Sequence, residues 1–393
     1  MNPGGGIEGG IDIKLVWQNW QVSDVVITST RPLQTPKIFI GKTAEQVLAT
    51  LPLLYSVCGT AQAMAAVTAS ERALGLESSS LTRLGRQLLV SVETAKEHLW
   101  RMLLDWPGFL KEQPDHASVA QVVKLQGEMR QLLDSEKALF LPGRTLEGIP
   151  AAELLKHVET LESQLKNSIY CIPCEQWLGF DEEQALGAWT DKSDSIAARM
   201  LRWIAEQGWQ SLGSNEIAFL PELSHEELDA TFASDTEGDF IAAPTWKERC
   251  YETTSLSRQA GHKLIRSVTE QYGNGLFTRL VARLVELAKL PGQLRFMLHT
   301  AVSESTSKSA GSGAGLSEVE AARGRLIHRV EIDSEAVSRY QILAPTEWNF
   351  HPRGVLAQSL MALQPGSESE LEQQARLMVN AIDPCVGYTL RIN

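Results

Sequence analysis

Apolar and polar residues alternate through the first half of "IDIKLVWQNWQVSDVVI" (11–27), and Val, Ile and Trp dominate the stretch. That pattern predicts a half-buried strand pair. The polar centre at Gln18-Asn19 is the predicted turn. In "KIFIGKTAEQVLATLPLL" the period changes to helical. Thr43 is the expected N-cap, with Ala44, Val47 and Leu48 on one side.

From about residue 58 to 290 the period stays near three and a half. Leu84, Leu88, Val92, Ala95, Leu99 and Met102 form one stripe. Leu154, Val158, Leu161 and Leu165 form a second, and Ile196, Met200 and Trp203 a third. Leu280, Leu284 and Leu287 mark the longest helix, with a stop expected at Pro291. Such stripes are core faces of packed helices.

"SESTSKSAGSGAGLSE" (303–318) reads as a flexible Ser/Gly segment. Beyond it, "GRLIHRVEI" and "SRYQILAP" predict a hairpin turning at Asp333-Ser334, and "GVLAQSLMAL" and "ELEQQARLMVNAI" predict helices. The fold class expected is therefore mainly α, with small β regions from both termini that meet. It reads as a single domain over 1–393, with an N-terminal β region (1–41), a helical body (42–300) and a C-terminal β/helical region (319–393).

Composition narrows the function classes. With 43% hydrophobic and 21% charged residues, the chain has the profile of a globular protein. A net charge of −12 argues against nucleic acid and against an anionic membrane surface as partners. No run of eighteen or so apolar residues predicts a membrane span. "MNPGGGIEGG" lacks the basic and apolar regions of a signal peptide, so the expected compartment is the cytoplasm. There the five cysteines are expected as thiols.

Each cysteine has its own setting. Cys58, in "VCGTAQAMAA", stands at the start of an Ala-rich helix. It reads either as a thiolate favoured by the helix dipole or as a small buried thiol at a tight turn. Cys385, in "DPCVGY", sits between a proline turn and Gly387, which holds a side chain outward or simply closes a C-terminal turn. Cys171 and Cys174 form "CIPC", half of a zinc site at most. Cys250, in "KERCYETT", reads as structural.

Together these segments resemble the large subunit of nickel–iron hydrogenases. In that family C-G-x-C and D-P-C-x-x-C hold the nickel–iron centre through four thiolates. "VCGTA" and "DPCVGY" are similar to these two motifs. "IEGGIDIKL" resembles the family's E-G-H stretch, "EAARGRLIHRVEI" its E-A-P-R-G stretch and "YQILAPTEWNFHPRG" its tyrosine-to-tryptophan-asparagine segment. The matches cover roughly 1–75 and 315–393. Only the first cysteine of each pair is present: Ala61 and Tyr388 stand at the second positions. Ser56 replaces an arginine, Ala65 a histidine and Gly10 the histidine of E-G-H. With Asn393 as its last residue, the chain is expected to lack the cleavable extension of hydrogenase precursors.

A large-subunit look-alike lacking half its ligands resembles the maturation factors of the HupK/HoxV type. That resemblance implies a non-catalytic assembly scaffold for nickel–iron hydrogenase. It implies transient holding of an iron with cyanide and carbon monoxide ligands, with Cys58 and Cys385 as the metal ligands. Two bridging thiolates short, the site is not expected to take nickel. Arg323 falls at the family position beside the cyanide ligands; it also reads as a surface ion pair with Glu320 or Glu331. Glu8 matches the N-terminal glutamate, and His351 and Arg353 line the site or an interface, or are structural. The implied partners are a hydrogenase large-subunit precursor and the maturation proteins that deliver iron. The alternatives are a divergent hydrogenase large subunit and a metal-free interaction protein of the same fold.

Overall fold

The computed structural model describes residues 9–55, 57–301 and 313–393. Glu8, Ser56 and residues 303–312 of the Ser/Gly stretch lie outside them. The first strands, β1 (Gly10–Gln18) and β2 (Gln21–Ser29), pair antiparallel with Ile13 opposite Ile27. Asn19 and Trp20 form the two-residue turn, both at positive φ, which matches the twist of the flanking strands. Ile11, Ile13 and Leu15 point into the core, as the alternation requires.

Helix α1 (Ala44–Leu54) opens on the expected cap: the Gln46 N–H donates to Thr43 Oγ1, and the Thr43 N–H to Gln46 Oε1. Helix α2 (Gly59–Leu74) follows Cys58 and ends at Gly75 in the left-handed conformation. Helix α3 (Ser80–Trp100) continues into a wider π turn over 101–105. Helix α4 (Leu276–His299) does not stop at Pro291. Leu287, Leu290 and Leu294 on its adjacent turns are all buried, and that packing outweighs the one backbone hydrogen bond proline removes.

Strands β3 (Ala314–Ala321), β4 (Gly324–Asp333) and β5 (Ala336–Leu343) form a three-stranded antiparallel sheet, with the turn at Ser334-Glu335, one residue on from the expected Asp333-Ser334. The flexible stretch expected up to residue 318 is thus corrected from Ala314 onward. Gly315 is a packing glycine there, because a Cβ on it would lie 2.0 Å from the Ala69 carbonyl oxygen of α2. A close strand-to-helix contact, not flexibility, explains the glycine at position 315.

After α5 (Pro345–Asn349) and α6 (Glu368–Ile382) comes β6 (Gly387–Ile392), which pairs parallel with β1, Gly10 beside Gly387 and Ile13 beside Leu390. The termini meet as the sequence predicts, but through β6; the 324–343 hairpin belongs to the other sheet. A two-residue parallel pairing of Ala218–Phe219 with Tyr251–Glu252 also interrupts the helical body. One apolar cluster runs from Ile13 through Ala66, Leu88 and Leu284 to Met378, joining both ends of the chain to the helices. Among the described residues, no helix is long and apolar enough to cross a membrane.

Candidate metal centre

Cys58 is the residue immediately before α2, and Cys385 lies on the turn between α6 and β6. The pairing of β1 with β6 draws the C-terminal turn back to the N-terminal half of the molecule. The sulfurs come within electrostatic reach of one another. Burial first, then Cys385 and Glu93, push the Cys58 thiol well above its usual pKa, against the pull of Arg323 and Gln62. Of the two readings of Cys58, this favours the thiol at a tight helix entry over the dipole-stabilised thiolate in the protein without metal. The physical reason lies in Glu93: its buried carboxylate already accepts the Thr60 and Ala61 N–H groups of the first turn, at 2.8 and 2.9 Å. The donors that would favour a thiolate are occupied by another anion.

The Cys385 sulfur is 3.1 Å from Thr346 Oγ1 in α5. Gln62 Nε2 approaches the Cys58 sulfur at 3.7 Å. Behind Gln62, its Oε1 is 2.8 Å from His328 Nε2, and His328 Nδ1 is 2.8 Å from the Tyr340 hydroxyl. Burial pushes His328 down to about 3, so the ring is neutral and hydrogen-bonded at both nitrogens.

Arg323 follows β3 at a tight turn and is buried, which excludes the expected surface pairing with Glu320 or Glu331. Its Nε donates to Asp383 Oδ1 at 3.2 Å and its Nη2 to Glu97 Oε2 at 3.1 Å. Glu320 pairs instead with Arg258 and Arg325. Asp383 also accepts from Arg101 Nε at 2.7 Å and faces Arg283 at 3.8 Å. Although burial opposes it, these three guanidiniums hold the Asp383 carboxyl well below the usual range. Among the described residues, Arg323 Nη1 is left buried without a hydrogen-bond partner. An orphaned guanidinium N–H beside two thiols suits a ligand that brings its own acceptor atoms.

Arg323 and Cys385 line a cleft of about 1100 Å³, together with Trp100, Arg101 and Tyr388. Ala61, at the second position of the first motif, is buried and carries no donor atom in its side chain. Among the described residues, no group of three or more His, Cys, Asp or Glu side chains is placed to hold an ion.

The remaining candidates go elsewhere. Cys171 is exposed at positive φ, and buried Cys174 opens the next helix with its thiol pushed up to about 12 by burial. Cys174 lines a separate cleft with Glu162 and Arg295. His351 accepts the Arg353 N–H on Nδ1 and has the Cys250 sulfur 3.3 Å from that atom, so Cys250 is not without company. Sequence reasoning missed Asp383 and Thr346, although both stand in quoted motifs, and Glu93 and Arg31, for which no local signal exists.

A family model described as nickel-dependent hydrogenase matches residues 224–387. The hydrogenase expression/formation protein HoxV of Cupriavidus necator is 29% identical over 93% of this chain and 92% of its own length. The hydrogenase expression/formation protein HupK of Bradyrhizobium diazoefficiens is 28% identical over 97% of this chain and 96% of its own. Among solved structures, the Ni-Fe-Se hydrogenase of Desulfovibrio vulgaris Hildenborough superposes with a TM-score of 0.63 at 18% identity, covering 94% of this chain and 95% of that one. The chain thus has the fold of the nickel–iron hydrogenase large subunit and is similar, over nearly all its length, to the hydrogenase expression/formation proteins of the HupK/HoxV type.

Proposed function

We propose that this protein is a non-catalytic assembly scaffold for nickel–iron hydrogenase. It holds an iron carrying cyanide and carbon monoxide as cargo, through Cys58 and Cys385, before transfer to a hydrogenase large-subunit precursor. The partners are that precursor and the maturation proteins that deliver iron. Nickel is not part of the cargo, since Ala61 and Tyr388 supply no bridging thiolates. The observation that carries the reading is the placement of one thiol from each end of the chain beside the buried, unpartnered Arg323 Nη1.

The chemistry follows from the residues. Both thiols give up protons when they ligate a metal, and the desolvation that keeps Cys58 protonated is offset by the cation. Arg323 offers its free N–H to a cyanide nitrogen while Asp383 and Glu97 fix its plane. The open cleft beside Cys385 gives a carrier protein access to the site.

The test is infrared spectroscopy and iron analysis of protein purified without air from cells that make hydrogenase. Cyanide and carbonyl bands with stoichiometric iron are expected, and Cys58→Ala or Cys385→Ala should abolish both while the fold survives. Stoichiometric nickel would instead favour a divergent large subunit. Intact hydrogenase maturation with both cysteine variants would favour a metal-free interaction protein.

A further inference from the structure

We propose that Arg31 is a second guanidinium contact of the cargo, so that the iron's diatomic ligands are cradled between Arg31 and Arg323. This rests on the reading of Cys58 and Cys385 as the holding pair. Arg31 leaves the end of β2, and its Nη1 donates to Glu347 Oε1 at 2.6 Å. Both side chains of that pair are buried. Glu347 is anchored in turn, because its Oε2 accepts the Ala344 N–H at 3.0 Å at the start of α5. The next residue back, Thr346, has its hydroxyl 3.1 Å from the Cys385 sulfur. The ion pair is thus fastened to the same turn of helix that meets one of the two thiols.

Arg31 approaches from its own side. With Glu347, Tyr55 and Tyr340 it lines a pocket of about 120 Å³, whereas Arg323 and Cys385 line the larger cleft. Its charge is felt at both sulfurs: burial opposes ionisation, and Glu347, Cys385, Tyr55 and Cys58 together outweigh it. A buried ion pair is a poor source of net stability. One that presents a planar fork of donors to a pocket, on a glutamate adjacent to the Thr346 that meets Cys385, is suited to ligand recognition. A cargo with anionic cyanide held on two thiolates carries excess negative charge, and a second guanidinium compensates it.

The experiment compares the protein with its Arg31→Gln and Arg31→Lys variants, each purified without air from hydrogenase-making cells. Iron per chain and the cyanide stretching bands are read in each. Arg31→Gln should reduce iron retention roughly 10–100-fold, the usual effect of losing such a supporting contact. Arg31→Lys should keep part of the iron with the cyanide bands shifted. Should Arg31→Gln fail to fold with Glu347 left unpaired, Arg31→Gln combined with Glu347→Gln is compared with Glu347→Gln alone. Unchanged iron and bands in the folded variants would overturn the role of Arg31 and leave the two-thiol reading standing. Absence of cyanide bands from the unaltered protein would overturn both.

Discussion

Arg323 and Asp383 are joined through Nε and Oδ1 at 3.2 Å, and Cys385 follows Asp383 by two residues. The guanidinium beside the thiols and the turn that carries one of them are therefore a single unit. Asp383 itself sits at a φ of 66°, a conformation an aspartate tolerates when its surroundings fix it. Replacing it by Asn leaves Arg101, Arg283 and Arg323 with one carboxylate fewer. Asp383→Asn should cost about 3–5 kcal/mol of stability. Urea unfolding of the metal-free protein checks it, and a loss below 1 kcal/mol would contradict the role given to the three-arginine cluster.

Arg323→Lys separates charge from geometry. A lysine keeps the positive charge but lacks the fork that reaches Glu97 and Asp383 and, among the described residues, still leaves the Nη1 amino group free. The variant should stay folded and retain iron roughly 10–100-fold less well. Iron analysis beside a thermal melt reads both; full retention would show that charge alone suffices.

His328 gives the protein an acid sensitivity of defined sign. Its folded pKa, pushed down to about 3 by burial, lies below the ordinary value of 6.5, so the unfolded chain binds the proton more readily. The stability it confers is fully present above about pH 6.5 and is lost as pH falls toward 3. Between pH 7 and pH 5 the loss from this residue should be about 2 kcal/mol. Denaturant unfolding at the two pH values should show it, and His328→Gln should flatten the difference.

Gly315→Ala tests the contact between β3 and α2. The added Cβ would meet the Ala69 carbonyl oxygen and the Ala73 nitrogen, both backbone atoms that no rotamer change can move. A destabilisation of about 3 kcal/mol or more is expected. Because α2 carries Cys58 at its start, iron retention should fall with it. A thermal midpoint equal to that of the parent would show that strand and helix can separate without cost.

The local elements were legible because each is governed by period and cap. Thr43 with Gln46 opens α1, alternation places Ile11, Ile13 and Leu15 inward, and the short polar turn at Asn19 closes the first hairpin. Where local rules met tertiary packing, packing prevailed. Pro291 lies inside a buried helix, and Gly315 serves a tight strand rather than a linker. The first-turn N–H groups that would favour a Cys58 thiolate are already bonded to Glu93, which lies more than thirty residues away in the chain.

By itself the sequence determined the mainly helical class, the meeting of the termini and the two cysteines, because hydrophobic period and short motifs are local properties of a chain. Only the tertiary structure decided which charges stand around those thiols. Arg31, Glu93, Arg323 and Asp383 come from four separated segments, and a buried charge finds its partner by folding, since desolvation penalises every arrangement that leaves it alone.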